Sequence, residues 1–126
     1  MFSKQERSSF KYWFAHWAAF QMTALNLKAW KFKYLFHDFE KPWLKLLFKD
    51  YKRVQEIHRK HNSHHLQYKG KKDYEAMIID WECSRFTKEN SPRTAKEELM
   101  KKYMEGKISV EEHIELYKVL VKLNLI

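Results

Sequence analysis

The chain has 126 residues, 44% hydrophobic and 17% aromatic, so it can form one domain with its own core, and its composition excludes an intrinsically disordered protein. Its one cysteine, Cys83, excludes an internal disulfide framework and fits a reducing compartment. The 25 basic and 16 acidic residues give a formal charge of +9. This charge either attracts nucleic acid, nucleotides and other phosphorylated metabolites, or belongs to a solvated lysine-rich surface.

The sequence predicts an all-α fold, a compact single-domain bundle of about six or seven helices over residues 1–126. Two glycines and two prolines are too few for the hairpin turns of an all-β protein. No apolar run approaches the roughly 20 residues that span a bilayer, and the N-terminus lacks the apolar segment of a signal peptide. We therefore expect a cytoplasmic protein with no membrane partner.

Ser8 or Ser9 is expected to cap a first helix that runs to about Leu27. Three aromatic residues at intervals of three and four residues form its apolar stripe: Trp13, Trp17 and Phe20. His16 lies beside this stripe, where it is either a packed, hydrogen-bonded core residue or a metal ligand.

A second helix is predicted over residues 29–36, and it delivers His37 and Asp38 at its C-terminal end. Three of its side chains are expected to face inward: Phe32, Leu35 and Phe36. Pro42 suits the first turn of a third, short helix over residues 43–48. An adjacent His and Asp can both reach one cation, or Asp38 caps the next helix while His37 makes an ordinary hydrogen bond.

Six of the seven histidines fall between His16 and His65. A polar helix is predicted from Lys52 to about His61, and on it His58 and His61 are three residues apart and project the same way. His64 and His65 follow in a loop or a new turn. Crowded imidazoles repel one another when protonated, so they favour the neutral form, in which they can bind a common cation. The alternative is a histidine-rich loop with no ligand.

Asp73 is expected to cap a helix that runs to about Phe86 and is apolar on much of its circumference. Asp80 lies in the middle of this helix, between Ile79 and Trp81. A carboxylate there is costly to bury without a partner, so it needs a cation or several donors. The alternative partners are Arg85 or a lysine.

Two capping boxes predict the last two helices. Thr94 with Glu97 opens one that runs to Met104, and Ser109 with Glu112 opens the other. Neither shows site chemistry in its sequence. The apolar face with Ile114, Leu120 and Leu123 either packs internally or pairs with another copy, which leaves a homo-oligomer open.

His16, the pair His37-Asp38, the downstream histidines and Asp80 resemble, in this order, the ligand pattern of the HD-domain metal-dependent phosphohydrolases. The resemblance covers residues 12–86, the metal-site portion, and leaves out the C-terminal helices within residues 94–126. Residues 61–65, with Tyr68 and Asp80-Trp81, also resemble a short, histidine-rich branch of uncharacterised bacterial and phage proteins. For a phage-encoded protein, this resemblance implies action in the host cytoplasm.

This resemblance implies that one divalent ion is bound by His16, His37, Asp38 and Asp80, and that His61, His64 and His65 hold a second ion or contact the substrate. Mixed nitrogen and oxygen ligands suit Mn, Fe, Co, Ni or Zn. The implied catalytic residues are Asp38, Glu40, His61 and Arg85. Glu40 would accept a proton from the metal-activated water or orient a ligand, and Arg85, with Lys88 and Arg93, would neutralise phosphate charge.

The implied function is a metal-dependent phosphohydrolase whose substrate is a nucleotide or a related phosphorylated small molecule and whose nucleophile is a metal-activated water. The alternative is a non-catalytic basic helical protein with a structural metal that binds nucleic acid or a protein partner. The phosphates of a nucleic acid would contact the lysines, and its bases would stack on Trp and Tyr rings. Against this, the aromatic residues repeat at helical spacing, which predicts that most of them are buried.

Overall fold

Helices account for all the regular structure of the described residues, which in the computed structural model are 10–48, 50–87 and 93–126. The described residues form six α-helices: α1 (Phe10–Asn26), α2 (Glu40–Leu47), α3 (Tyr51–His61), α4 (Tyr74–Ser84), α5 (Ala95–Met104) and α6 (Val110–Lys122). A short 3-10 helix (Phe32–Phe36) lies between α1 and α2. The prediction of an all-α bundle is therefore confirmed. The predicted caps Ser8 and Ser9 lie outside the described residues.

Polar side chains begin the later helices as predicted. The Asp73 carboxylate accepts a hydrogen bond of 3.0 Å from the backbone N–H of Ala76 and starts α4. Complete capping boxes start α5 at Thr94 and α6 at Ser109. Each cap contributes about 1 kcal/mol, and together they fix where the helices begin.

The second helix differs from its prediction, because it is a single 3-10 segment and turns different residues inward. Phe32 and Phe36 are 70% and 57% exposed, whereas Tyr34 is 3% exposed and meets the ring of Phe20 edge-on. A 3-10 helix has three residues per turn, so its inward face does not follow the α-helical period that the prediction used. The ring of Tyr34 is therefore the one that this segment buries, and the rings of Phe32 and Phe36 lie at the surface.

The core is built around α4. Met77, Ile78 and Ile79 are consecutive and fully buried, so α4 is covered on all sides. Its covering comes from Phe20 of α1, Leu99 of α5, and Leu116 and Leu120 of α6. Each such side chain contributes about 1.5–3 kcal/mol on burial. Asp80, one residue beyond Ile79, is thereby buried as well.

The expectation that most aromatic side chains are buried is wrong. Large rings are exposed on the outer faces of α1, the 3-10 helix and α2: Phe10, Phe14, Phe32, Phe36, Phe39 and Trp43. Helical spacing marks one face of a helix but does not say whether another element covers it. On α6, Leu120 and Leu123 pack into the core, whereas Ile114 is 47% exposed. None of the helices described here is long and apolar enough to cross a membrane.

Candidate metal centre

The His37-Asp38 pair lies where the chain bends after the 3-10 helix. Asp38 has a φ of +58°, in the left-handed region that Asp and Asn tolerate better than most residues. The indole N–H of Trp13 on α1 donates a 2.7 Å hydrogen bond to the Asp38 carbonyl oxygen, and Phe20 stacks on His37 at 3.7 Å. The side chain of Asp38 does not cap α2, whose N-cap residue is Phe39. It points instead toward the buried histidines.

A first group of potential ligands joins three elements: His16 from α1, His37 and Asp38 from the bend, and Asp80 from α4. Asp80 Oδ1 lies 2.9 Å from His16 Nε2 and 3.1 Å from His37 Nε2. Asp38 Oδ2 lies 3.6 Å from His16 Nε2 and 3.4 Å from His37 Nε2. One ligand atom from each residue lies within 4.8 Å of the others. The structure thus brings these four sequence-selected residues to a common point.

A second group contains Asp38 again, with His58 of α3 and with His64 and His65 of the following turn. Asp38 Oδ1 lies 2.9 Å from His58 Nε2 and 3.1 Å from His64 Nε2. Despite these distances, Asp38 Oδ1 and the three Nε2 atoms are buried without a properly oriented hydrogen bond. A buried polar atom left in this state costs about 1–3 kcal/mol. A cation among these four atoms would remove that cost.

Asp38 belongs to both groups and uses a different oxygen for each, Oδ2 for the first and Oδ1 for the second. The residues present therefore fit two divalent ions that share the Asp38 carboxylate. Imidazole nitrogens and carboxylate oxygens suit Mn, Fe, Co, Ni or Zn better than Ca, which favours oxygen ligands alone.

Glu40, the first residue of α2, supports the second group from outside. Its Oε1 makes a very short contact with His58 Nδ1 and accepts a 2.5 Å hydrogen bond from Asn62 Nδ2. A carboxylate at Nδ1 holds an imidazole proton there, so Nε2 is the nitrogen that can bind a metal ion. Of the two roles predicted for Glu40, this contact favours the orientation of a ligand.

We expect Glu40→Ala to weaken metal binding at the second group by about 10–100-fold, because His58 loses the partner that fixes its tautomer and ring orientation. The first group, which Glu40 does not contact, should keep its affinity. Competition titration with a chromophoric chelator measures both steps. Glu56→Ala, at an exposed position of α3, is the matched control. An equal loss at both steps would contradict the role assigned to Glu40.

Not every predicted site residue joins these groups. His61 is exposed at the end of α3, because a step of three residues turns it about 60° from His58 and moves it about 4.5 Å along the axis. Arg85 pairs with Glu82, with its Nε 3.3 Å from Oε2, and lies over the ring of Phe86. Arg85 is therefore not the partner of Asp80. Lys88 lies outside the described residues.

The protonation states of Asp38, Asp80 and His65 suit metal binding. Burial raises the pKa of Asp38 and of Asp80, but the neighbouring histidines, together with Lys41 beside Asp38, outweigh it and hold both pKa values well below the usual range. Burial, together with the nearby His64, lowers the pKa of His65 to about 2. The two carboxylates are thus ionised and His65 is neutral at physiological pH, the forms in which each binds a metal.

The stability of the metal-free protein is expected to fall as the pH drops from 6.5 to 5. Burial lowers the folded-state pKa of His37 and of His65 below the unfolded value near 6.5, so the unfolded chain binds up to two more protons in this range. Each such proton lowers the free energy of unfolding by about 1.4 kcal/mol per pH unit. Urea unfolding at pH 5, 6 and 7 measures the slope.

His58 does not cancel this effect. Burial lowers its pKa, but Asp38 and Glu40 outweigh burial and raise it overall. Its stabilising contribution is therefore fully present below pH 6.5 and is lost only as the pH rises through the folded value. His65→Gln should reduce this slope by the contribution of about one proton. If the free energy of unfolding of the unsubstituted protein did not change between pH 5 and 7, the buried histidines would not be neutral.

A pocket of about 630 Å³ adjoins the two groups, and His65 and Asp80 are part of its wall. Four cationic residues also line it: Arg59, Arg93, Lys102 and Lys107. Lys102 comes from α5 and Lys107 from the turn after it, so the C-terminal region contributes to the wall of this pocket, which the sequence analysis did not predict. The signal in the sequence of this region was a pair of lysines in the last turn of α5, and such pairs are common on solvated helix faces.

No protein-family model matches this chain, and no curated protein or solved structure is significantly similar to it. These comparisons therefore lend no support to membership of the HD-domain family. The geometry itself supports a small all-helical protein with two buried His/Asp groups that could hold metal ions.

Proposed function

We propose that this protein is a metal-dependent phosphohydrolase of the HD type whose substrate is a nucleotide or a related phosphorylated small molecule. The observation that carries the proposal is the shared carboxylate of Asp38, which contributes one oxygen to each of two buried ligand groups. A pair of ions held on one carboxylate is typical of sites that hydrolyse phosphate esters.

When bound, the divalent ions would polarise a phosphoryl oxygen and lower the pKa of water. The chain's own residues hold these ions and shape their surroundings. Asp80 is in the first group and also lines the pocket, so it connects the buried ligands with the space where a substrate binds. Glu40 orients His58 from the side away from Asp38.

The pocket supports a phosphorylated small molecule as the substrate. Its volume of about 630 Å³ lies within the range of roughly 300–1,000 Å³ common for small-molecule sites. Its cations favour an anionic ligand. His61 and Arg85 are left out of this proposal, because one is exposed outside both ligand groups and the other pairs with Glu82.

Phosphate release from a panel of nucleotides, with Mn or Co added, tests the proposal. We expect release by the unsubstituted protein and a loss of about 100-fold or more in His37→Ala, which removes a ligand of the first group. His113→Ala is the control, since this histidine lies between Tyr103 and Tyr117, outside both ligand groups. Folded, metal-loaded protein that releases phosphate from no nucleotide would end the proposal.

The exposed aromatic rings favour a second candidate function, the binding of single-stranded nucleic acid. Phe32 and Trp43 are 70% and 68% exposed on a chain of charge +9, and such rings stack on bases while lysines neutralise phosphates. Salt-sensitive binding to DNA or RNA that a chelator leaves unchanged, and that Trp43→Ala weakens, would support this function over hydrolysis.

A further inference from the structure

The pocket beside the ligand groups carries more positive charge than one phosphate group needs. Asp38 and Asp80 offset half the charge of two divalent ions, and a single phosphate dianion offsets the other half. The four cations of the pocket wall remain, and Glu98 is the one further carboxylate among the lining residues. Three positive charges are thus left among the lining residues, and the one on Lys107 is also paired with Glu105, whose Oε1 lies 3.4 Å from the Lys107 Nζ.

Glu98 does not neutralise these cations evenly. Its Oε1 lies 3.1 Å from Lys102 Nζ and its Oε2 lies 3.6 Å from Arg93 Nη1. Lys102 also lies over the ring of Trp81, with Nζ 5.5 Å from the ring centre, so α5 holds this ammonium group against the wall. Arg59 reaches the pocket from the last turn of α3, and Lys107 from the turn after α5. The cations therefore come from separate elements of the fold that converge on the pocket.

We propose that Arg59, Lys102 and Lys107 bind a second phosphate group of the substrate, so that the site prefers a chain of two or three phosphates over a single one. The proposal rests on the proposed function only in placing the reacting phosphate at the two ligand groups. A small molecule fits better than a nucleic-acid strand, because the cations surround a pocket of about 630 Å³ and a strand needs a groove that follows its backbone.

Equilibrium binding of phosphate, pyrophosphate and tripolyphosphate to the full chain as purified tests this site. We expect affinity to rise with each added phosphate. Lys102→Gln and Arg59→Gln should each weaken tripolyphosphate binding about tenfold, the loss of one charge-assisted hydrogen bond, and leave phosphate binding almost unchanged. Lys118→Gln removes the same charge from an exposed position of α6 where the lysine pairs with Glu115, and it should change neither.

Three results would overturn the proposal. Phosphate and tripolyphosphate could bind equally well, or Lys118→Gln could weaken binding as much as Lys102→Gln, which would indicate diffuse surface charge. A single-stranded oligonucleotide could bind more tightly than tripolyphosphate and lose affinity in the same variants, which would make the ligand a strand. Arg59→Gln, on a different helix from Lys102, separates loss of the site from any unfolding caused by Lys102→Gln.

The same measurements distinguish this site from the proposed function. Tripolyphosphate binding that depends on Lys102, without hydrolysis of any nucleotide, would contradict the phosphohydrolase and leave the phosphate-chain site intact. Equal KM values for nucleoside monophosphates and triphosphates would contradict only the phosphate-chain site. A nucleoside triphosphate that binds more tightly than tripolyphosphate would show that the nucleoside adds contacts of its own.

Discussion

Asp38→Asn is expected to abolish metal binding at both ligand groups and to reduce phosphate release by about 10³-fold, because one carboxylate serves both groups. An amide keeps the shape of the side chain but not its negative charge. Asparagine also accepts the left-handed backbone at this position, where φ is +58°. Alanine at this position would lower the stability of the fold by about 1–2 kcal/mol, so a loss of metal could not be separated from a loss of stability. Elemental analysis and a phosphate-release assay measure the two effects.

Substitutions of residues that belong to one group only are the controls for Asp38→Asn. His16→Gln removes a ligand of the first group and His65→Gln a ligand of the second, so each is expected to lower metal content by about one ion instead of two. If Asp38→Asn retained both ions, or if it lost no more metal than His65→Gln, the carboxylate would not be shared.

Metal binding is expected to raise the melting temperature of the protein by about 15 °C. A ligand present at 1,000 times its Kd stabilises the folded state by about 4 kcal/mol, and a chain of this size gains roughly 3–5 °C per kcal/mol. The physical reason is local, since Asp38 Oδ1 and the Nε2 atoms of His58, His64 and His65 are buried without hydrogen bonds, and a bound cation would give them a partner. Thermal unfolding with Mn or Co, and again after chelation, measures the shift.

Two controls separate this stabilisation from a general effect of salt. Calcium, which favours oxygen ligands alone, should produce a much smaller shift at the same concentration. Asp38→Asn should remove most of the shift caused by Mn or Co while its metal-free form stays folded. A melting temperature that neither metal nor chelator changes would show that the histidines are satisfied without an ion.

The local chemistry of the sequence was enough to find most of the helices. Helix starts can be predicted at Asp73, Thr94 and Ser109. Each of these side chains accepts a hydrogen bond from a backbone N–H in the first turn that has no partner within the helix. His16, His37, Asp38 and Asp80 could be chosen in advance as residues that lie together. Side chains of this kind on apolar helices are costly to bury one by one, which is why they indicate a shared site.

The tertiary structure alone decided which of the remaining residues meet. The sequence analysis chose His61 as a site residue and left out His58, which lies three residues away on the same helix. The packing of α3 against α2 instead brought His58 to Asp38 and Glu40 and left His61 in solvent. In the same way Lys102 looked like any solvated lysine until α5 placed it beside Trp81 and the pocket. Periodicity records which side chains share a face of one helix, whereas a binding site depends on which faces of different helices pack together, and that is settled by the fold of the whole chain.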